Sequence, residues 1–262
     1  MFAFDLRASL LAAVVVTGGV ALAWVGPIPQ DLGYHQFADT RALGGLTNFW
    51  NVVSNLPFLL VAVLGLLRMR RLAYAATRTA YTVICVSIAL VALGSAYYHV
   101  APSNSTLLWD RLPMTVVFMA LLSLVLNERV FRRPRPWVLW ALIAAGIASA
   151  LYWAWSEAQG QGDLRLYALV QFSPMVLIPL ILVWYRSGYL NTAWLAAALG
   201  WYLAAKAFEH FDAQIWAVTG EAGGHALKHV AAAAAGMCIV YAVPTRHARD
   251  TRAVTRDDEP RG

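Results

Sequence analysis

Two histidines in the C-terminal part of the chain, His225 and His229, are four residues apart. On an α-helix this spacing places both imidazole rings on one face, one turn apart, where they can bind the same metal ion. A third histidine, His99, follows Ser95 at the same spacing. Three histidine nitrogens and one water form an open tetrahedral zinc site, and such zinc lowers the pKa of the water from 15.7 to about 7. The sequence therefore predicts a hydrolytic zinc site formed by His99, His225 and His229.

Two further side chains could complete the chemistry of this site. Asp110 is the candidate proton shuttle, because a carboxylate can take a proton from the attacking water. Ser95 lies one helical turn from His99 and could donate a hydrogen bond to a developing oxyanion or to the metal-bound water. Six other polar residues near the ends of apolar runs are candidates for contacts around the site: Asn51, Ser54, Asn55, Lys206, Glu209 and Asp212.

These additional polar residues also have structural interpretations. Asn51, Ser54 and Asn55 are typical of hydrogen bonds between membrane helices. Lys206 and Glu209 are three residues apart, and this spacing allows an ion pair on one helix. Both interpretations remain open at the level of the sequence.

The elements that position these residues must be membrane-spanning helices. Hydrophobic residues are 60% and charged residues 13% of the 262-residue chain. A soluble domain contains about 45–50% apolar and about 25% charged residues, so the composition excludes an ordinary soluble enzyme. We predict an all-α integral membrane protein with eight spans, at residues 9–27, 49–67, 79–100, 112–127, 137–155, 166–185, 189–208 and 222–243. The first run could instead be a signal peptide, but its length of about 18 residues favours a retained helix.

The basic residues predict the orientation of these spans. If the eight spans alternate strictly, 15 basic residues fall on one side of the membrane and 4 on the other, with Lys228 inside a span. Basic loops favour the cytoplasm, so we expect both termini there. The same distribution explains the net charge of +6 without a nucleic-acid partner. The candidate site then lies in the non-cytoplasmic half of the membrane.

Taken together, four motifs resemble the alkaline ceramidase family, which belongs to a wider group of seven-helix membrane hydrolases related to the adiponectin receptors. They read FWNVVSN at 49–55, GSAYYH at 94–99, a single aspartate at Asp110, and HALKH at 225–229. A further stretch, YHQFAD at 34–39, resembles bacterial members. The resemblance extends from about residue 34 to residue 230 and depends on the order and spacing of the motifs.

The resemblance implies a seven-helix core formed by spans two to eight, preceded by one additional N-terminal helix. We therefore divide the chain into an N-terminal helix at 1–30, a hydrolase domain at 31–243 and a polar, disordered cytoplasmic tail at 244–262. The resemblance also implies a catalytic zinc on the three histidines, with Ser95 and Asp110 completing the site. The implied reaction is hydrolysis of the amide bond of a ceramide-like lipid, which enters from the bilayer, to a fatty acid and a sphingoid base.

The chain departs from the family pattern in two places. Animal members bind calcium through acidic residues near the Phe-Trp-Asn motif, but here Asn48 stands at the last acidic position and the preceding loop has only Asp31 and Asp39. These two carboxylates are weak candidates for calcium, which prefers several oxygen ligands. Lys228 replaces the tryptophan that eukaryotic members commonly have between the two histidines. The motifs do not fix the substrate, because relatives in the wider group act on other lipid acyl bonds.

Two other classes of function remain open at the level of the sequence. A membrane electron carrier would use the histidines as axial ligands of haem, which requires paired histidines that face each other. A receptor or transporter would use zinc structurally. A structural zinc normally has a fourth protein ligand, for which His210 is the candidate. The sequence gives no indication of the oligomeric state.

Overall fold

The computed structural model describes residues 6–131 and 133–246, which form helices joined by loops. Within these residues the α-helices are α1 (Leu6–Trp24), α2 (Phe49–Val53), α3 (Leu56–Met69), α4 (Arg78–Val100), α5 (Asn104–Val125), α6 (Pro136–Ala158), α7 (Arg165–Trp184), α8 (Thr192–His210), α9 (Asp212–Thr219) and α10 (Gly224–Ala242). Short 3₁₀ helices lie at Leu32–His35 and Ala75–Thr77, and a π-helical turn at Leu126–Val130 follows α5. The predicted all-α architecture is confirmed.

Seven helical segments among the described residues are long and apolar enough to cross a membrane. They contain α1, α2 together with α3, α4, α5, α6, α7 and α10. The remaining predicted span corresponds to α8, a helix of 19 residues. Its last turns carry Lys206 and Glu209 and are therefore less apolar. The protein is a multi-pass membrane protein, and a helix occupies each of the eight predicted positions.

The second predicted span is divided into two helices at its polar motif. The first of them, α2, ends at Val53, and α3 begins at Leu56. Pro57 has no amide hydrogen and cannot donate to the carbonyl of Val53, which interrupts the helical ladder. Ser54 lies at this break, and its side chain reaches α10.

The helices that bear the candidate site residues pack closely against one another. Helix α4 packs against α3 and α5, and α10 packs against α8 and α3. Gly94 lies at the contact between α4 and α5, where a Cβ atom would overlap the backbone carbonyl of Trp109. Gly224 has a similar position at the start of α10, against the backbone carbonyl of Phe208. These two glycines allow the helix ends that bear the candidate residues to approach each other.

Helix α1 lies at the edge of the bundle. Within Leu6–Trp24, Leu11 is buried and most other side chains are exposed. The helix packs against α7. This peripheral position agrees with an additional helix outside a seven-helix core, while the domain boundaries at residues 30 and 243 remain predictions. Residues 247–262 of the predicted tail lie outside the described part of the chain.

The segment between α1 and α2 covers one end of the bundle. Its backbone amides are held by acidic side chains of other elements: Gln30 donates to Glu157 at 2.7 Å and Ala38 donates to Asp212 at 2.9 Å. Phe37 points into the bundle and belongs to a buried apolar cluster. The helices on this side therefore end beneath a fixed loop.

Candidate metal centre

Three histidine side chains meet beneath this loop. His99 lies in the last turn of α4, and His225 and His229 lie in the first two turns of α10. Their ring centroids form a nearly equilateral triangle with sides of 4.8, 4.9 and 5.0 Å. One ligand nitrogen from each ring lies within 4.8 Å of the other two, and all three residues are buried. The structure thus brings together the three residues that the sequence predicts as metal ligands.

The state of the ring nitrogens fits a metal centre. Within the described residues, both ring nitrogens of His99 and Nε2 of His225 are buried and have no hydrogen-bond partner. A buried polar atom without a partner is costly, and native proteins rarely leave one without a reason. Three converging imidazole side chains are a donor set that zinc prefers. The three histidines can therefore hold a metal ion, and zinc is compatible with them.

The third histidine is oriented by a hydroxyl from the break between α2 and α3. Oγ of Ser54 lies 2.8 Å from Nδ1 of His229. A ligand histidine commonly uses its second nitrogen in this way, because the outer contact fixes the tautomer and the direction of the ring. The side chains of Asn51 and Asn55 hold the backbone near Ser54. The side chain of Asn51 donates to the carbonyl of Asp39 at 3.0 Å, and the side chain of Asn55 donates to the carbonyl of Asn51 at 2.8 Å.

Backbone contacts position the other two histidines. The side chain of Asn48 donates to the carbonyl of His99 at 2.9 Å. Asn48 has a left-handed backbone, with φ of 49°, which asparagine tolerates better than most residues. The carboxylate of Asp212 accepts from the amide of His225 at 2.8 Å and also from the amide of Ala38. Asp212 therefore fixes the start of α10 and the covering loop together.

Asp110 and Ser95 lie beside the histidines at the contact between α4 and α5. Both residues are buried. The glycine preceding Ser95 is the one that admits the backbone of α5. Asp110, Ser95 and His229 line the same cavity. The predicted hydroxyl and carboxylate thus share a space with a predicted metal ligand.

This cavity has a volume of about 230 Å³ and a polar and an apolar end. The polar lining comes from the end of α4, the starts of α5 and α10 and the end of α8. Beyond it, α4, α5, α7, α8 and α10 contribute mainly apolar side chains, among them Val91, Phe118, Leu121, Ile178, Leu195 and Ile239. The shape and lining suit a molecule with a polar head and an aliphatic chain.

An ion-pair network forms part of the polar end. Glu209 pairs with Lys206 at 2.6 Å and with Lys228 at 3.0 Å. The hydroxyl of Tyr34 donates to the same carboxylate at 3.1 Å. The helical ion pair expected between Lys206 and Glu209 is present, and both residues also line the cavity. Lys206 and Glu209 therefore form a structural ion pair and also lie beside the candidate site.

Three residues at this end are not among the site residues that the sequence predicts. Phe37 packs against His99 and His225, with ring centroids 4.7 and 4.5 Å away. Arg111 is buried, lies between the rings of Trp153 and Tyr167, and donates to Gln30 at 2.6 Å. Tyr34 comes from the covering loop. In the sequence, the stretch at 34–39 shows a family resemblance and several polar residues. Nothing in it predicts which side chains turn inward.

The two weak calcium candidates have other partners. Asp31 accepts from the amide of Gly33 at 2.8 Å and begins a 3₁₀ turn. Both carboxylate oxygens of Asp39 accept from the guanidinium of Arg41, at 2.9 and 2.8 Å. Burial opposes ionisation of Asp39, but the hydrogen bonds from Arg41 outweigh it and hold the pKa below its ordinary value. Among residues 6–131 and 133–246, the structure does not bring Asp31 or Asp39 into a group of three metal-binding side chains.

The fold and the site together define a multi-pass helical membrane protein with a buried histidine triad beside an amphipathic cavity. The sequence model of the Ceramidase family matches residues 45–216. The chain therefore belongs to the ceramidase family, as the motifs indicated. The match includes Ser95, His99 and Asp110 and ends before His225. The comparison with curated proteins gave no match.

Proposed function

We propose that this protein is a zinc-dependent membrane hydrolase that cleaves the amide bond of ceramide-like lipids to a fatty acid and a sphingoid base. One observation carries the proposal: three buried histidines, two of them with unpartnered ring nitrogens, converge beside Asp110 at the polar end of an apolar cavity. Membership of the ceramidase family supports a lipid amide as the substrate class.

The three histidines would hold the metal. Zinc bound by three imidazoles supplies a Lewis acid and lowers the pKa of water, so that hydrolysis proceeds at neutral pH. His210 does not join the metal-binding group found in the described residues. Three protein ligands leave a position open, as catalytic zinc requires and structural zinc does not. This geometry favours the hydrolase over a receptor with a closed structural site.

Asp110 is the proton carrier in this proposal. Its carboxylate accepts a proton from the attacking water and delivers it to the leaving amide nitrogen, so that the C–N bond breaks with a neutral amine as product. Ser95 lines the same cavity, and its hydroxyl can donate a hydrogen bond that directs the carboxylate. Positioning of this kind matters because proton transfer requires heavy atoms within hydrogen-bond reach.

The substrate is held by the two ends of the cavity. The acyl chain lies among the apolar side chains of α5, α7 and α10, which exclude water from the reacting amide. At the polar end, Lys228 uses one of its three donors for Glu209 and has others for hydroxyl groups of the sphingoid base. The lipid enters from the bilayer. Because basic loops favour the cytoplasm, we expect the opposite end of the bundle to be cytoplasmic and the site to lie in the non-cytoplasmic half.

Hydrolysis by the purified, detergent-solubilised protein tests this proposal. We would incubate an N-acyl sphingosine with wild type and with His225→Ala, and quantify released fatty acid and base by mass spectrometry. His210→Ala serves as a control, because it removes a histidine outside the triad. We expect release by wild type and His210→Ala but not by His225→Ala. Equal release by all three proteins, or no release of any lipid acid from a panel of amides and esters, would overturn the proposal.

A further inference from the structure

A second cavity lies at the other end of the bundle from the three histidines, beyond the C-terminal end of α10, which has 19 residues and is therefore about 28 Å long. It has a volume of about 510 Å³. Its lining is made of four arginines and one hydroxyl: Arg68, Arg70, Arg71, Thr245 and Arg246. No carboxylate of the described residues forms an ion pair with any of these arginines.

Backbone pairing between distant segments builds this basic pocket. The amide of Ala73 donates to the carbonyl of Pro244 at 3.0 Å, and the amide of Arg246 donates to the carbonyl of Arg71 at 2.9 Å. Leu72 lies between these bonds and is fully buried. The loop after α3 and the segment after α10 are therefore held together. As a result, arginines from both segments line the same cavity.

Ordinary structural roles account for one of the four arginines. Arg68 stacks on the ring of Tyr241 at 4.4 Å and donates to the carbonyl of Val243 at 3.3 Å, where α10 ends. Even so, its Nε is buried without a hydrogen-bond partner within the described chain. Arg70 and Arg71 are exposed. Like charges gathered around one cavity repel each other, so the arrangement calls for an anion.

An apolar stripe on α3 runs towards the pocket. Leu56, Leu60, Val63 and Leu67 are each between 54% and 69% exposed. Their spacing of three or four residues places them on one face of the helix. Arg70 and Arg71 follow directly after the end of this helix at Met69. An exposed aliphatic stripe that ends in guanidinium groups matches the outline of a phospholipid, with acyl chains beside the stripe and the phosphate at its end.

We propose that this pocket binds the phosphate of an anionic phospholipid in the leaflet opposite to the histidine site. Arginine is suited to this ligand because its planar guanidinium can donate two parallel hydrogen bonds to phosphate oxygens. Basic pockets between membrane helices are known to hold acidic lipid head groups. The apolar stripe selects a lipid over free phosphate, because inorganic phosphate makes no use of it.

Thermal unfolding of the full-length protein in detergent tests the proposal. The probes are dioctanoyl phosphatidylglycerol, zwitterionic dioctanoyl phosphatidylcholine and inorganic phosphate at equal concentration. We expect phosphatidylglycerol to raise the unfolding midpoint and the other two to have little effect. Equal stabilisation by the two lipids would overturn the proposal. Full stabilisation by inorganic phosphate would overturn the assignment to a lipid.

Paired variants locate the binding site. The variant Arg70→Gln with Arg71→Gln should weaken phosphatidylglycerol binding by about 10- to 30-fold, on the scale of roughly 1 kcal/mol for each basic residue at the membrane surface. Arg133→Gln with Arg135→Gln is the matched control, since it removes two exposed arginines from the loop between α5 and α6. Arg246→Gln provides an independent variant on the other segment of the pocket. Unchanged affinity in both pocket variants would contradict the proposal.

Discussion

Two buried polar clusters in this protein differ in how their atoms are satisfied. Glu128 and Arg129, after α5, form an ion pair at 2.9 Å with side chains at most 1% exposed. One oxygen of Glu128 accepts from the backbone amides of residues 188–190, at 2.6, 2.7 and 3.1 Å. Arg129 also donates to the carbonyl of Tyr185 and the hydroxyl of Thr192. The two side chains tie the loop between α7 and α8 to the end of α5.

The histidine triad is buried to a similar degree but lacks such partners. Ring nitrogens of His99 and His225 find no hydrogen bond among the described residues, although Asn48 and Asp212 hold the backbones of the same residues. The difference indicates the purpose of each cluster. Groups that are fully paired stabilise the fold, whereas buried groups that are positioned but unpaired are able to bind a ligand.

Asp110→Asn should slow the reaction strongly and leave metal binding unchanged. The amide cannot carry the proton, so we expect the rate of lipid amide hydrolysis to fall by about 10²- to 10⁴-fold. Metal content should stay at the wild-type level, because Asp110 is not one of the three ligands. Asp163→Asn is the control, since this carboxylate lies in the loop between α6 and α7 and outside the cavity. Full activity in Asp110→Asn would refute the proton-carrier role.

Glu128→Gln should change the stability of the fold and not the candidate site. We expect a large loss in the free energy of unfolding and no change in metal affinity. It leaves the buried guanidinium of Arg129 without a counter-charge, and breaking a buried pair in this way costs about 3–5 kcal/mol. The midpoint of thermal unfolding in detergent measures the loss. If Glu128→Gln released the metal at a temperature where the protein stays folded, the Glu128–Arg129 pair would also affect metal binding. That result would contradict the division of roles between the two clusters.

Ser54→Ala should weaken metal binding without removing a ligand. His229 would lose the contact that orients its ring, and loss of such an outer contact typically reduces metal affinity about 10- to 100-fold. Competition with a chelator of known affinity measures the change. Ser149→Ala is the matched control, because Ser149 is a buried serine that donates to the carbonyl of Gly146 on its own helix. Equal affinity in the two variants would contradict the positioning role of Ser54.

The smallest effect concerns an ion pair at the membrane surface. Hydrogen bonds from Arg165 lower the pKa of Asp163 to about 2, below the value of about 3.9 in an unfolded chain. The stabilisation is therefore complete above about pH 4 and is lost as the pH falls through 2. Asp163→Asn should lower stability by about 1 kcal/mol or less at pH 7. The unfolding midpoints of wild type and Asp163→Asn, measured from pH 7 downwards, should converge. A constant difference between the two midpoints down to pH 2 would contradict the assignment.

Composition and spacing predict the part of the molecule that depends on local rules. Apolar runs predict the spans, and the spacing of His225 and His229 predicts their shared face. Alternation of the spans predicts that His99 lies at the same depth. The apolar run at 49–67 predicts one continuous span, and only the chemistry of Pro57, which lacks an amide hydrogen, indicates the break within it.

Contacts between segments that are distant in the chain could not be predicted in this way. Phe37 and Tyr34 enter the site because the covering loop is held by Asp212 and Glu157, which are more than 120 residues away. The sequence also did not reveal that Lys228 would turn inwards to Glu209 or that Arg111 would be enclosed by aromatic rings. No periodicity connects such residues, since their positions depend on the packing of whole helices.

Metal content tests the central claim most directly. We would purify wild type and His225→Ala side by side in detergent, without added metal or chelator, and measure bound metals by inductively coupled plasma mass spectrometry. The account predicts about one zinc per chain in wild type and a loss of zinc in His225→Ala. His210→Ala should retain the metal. Zinc-free wild type, or the same zinc content in wild type and His225→Ala, would contradict the account.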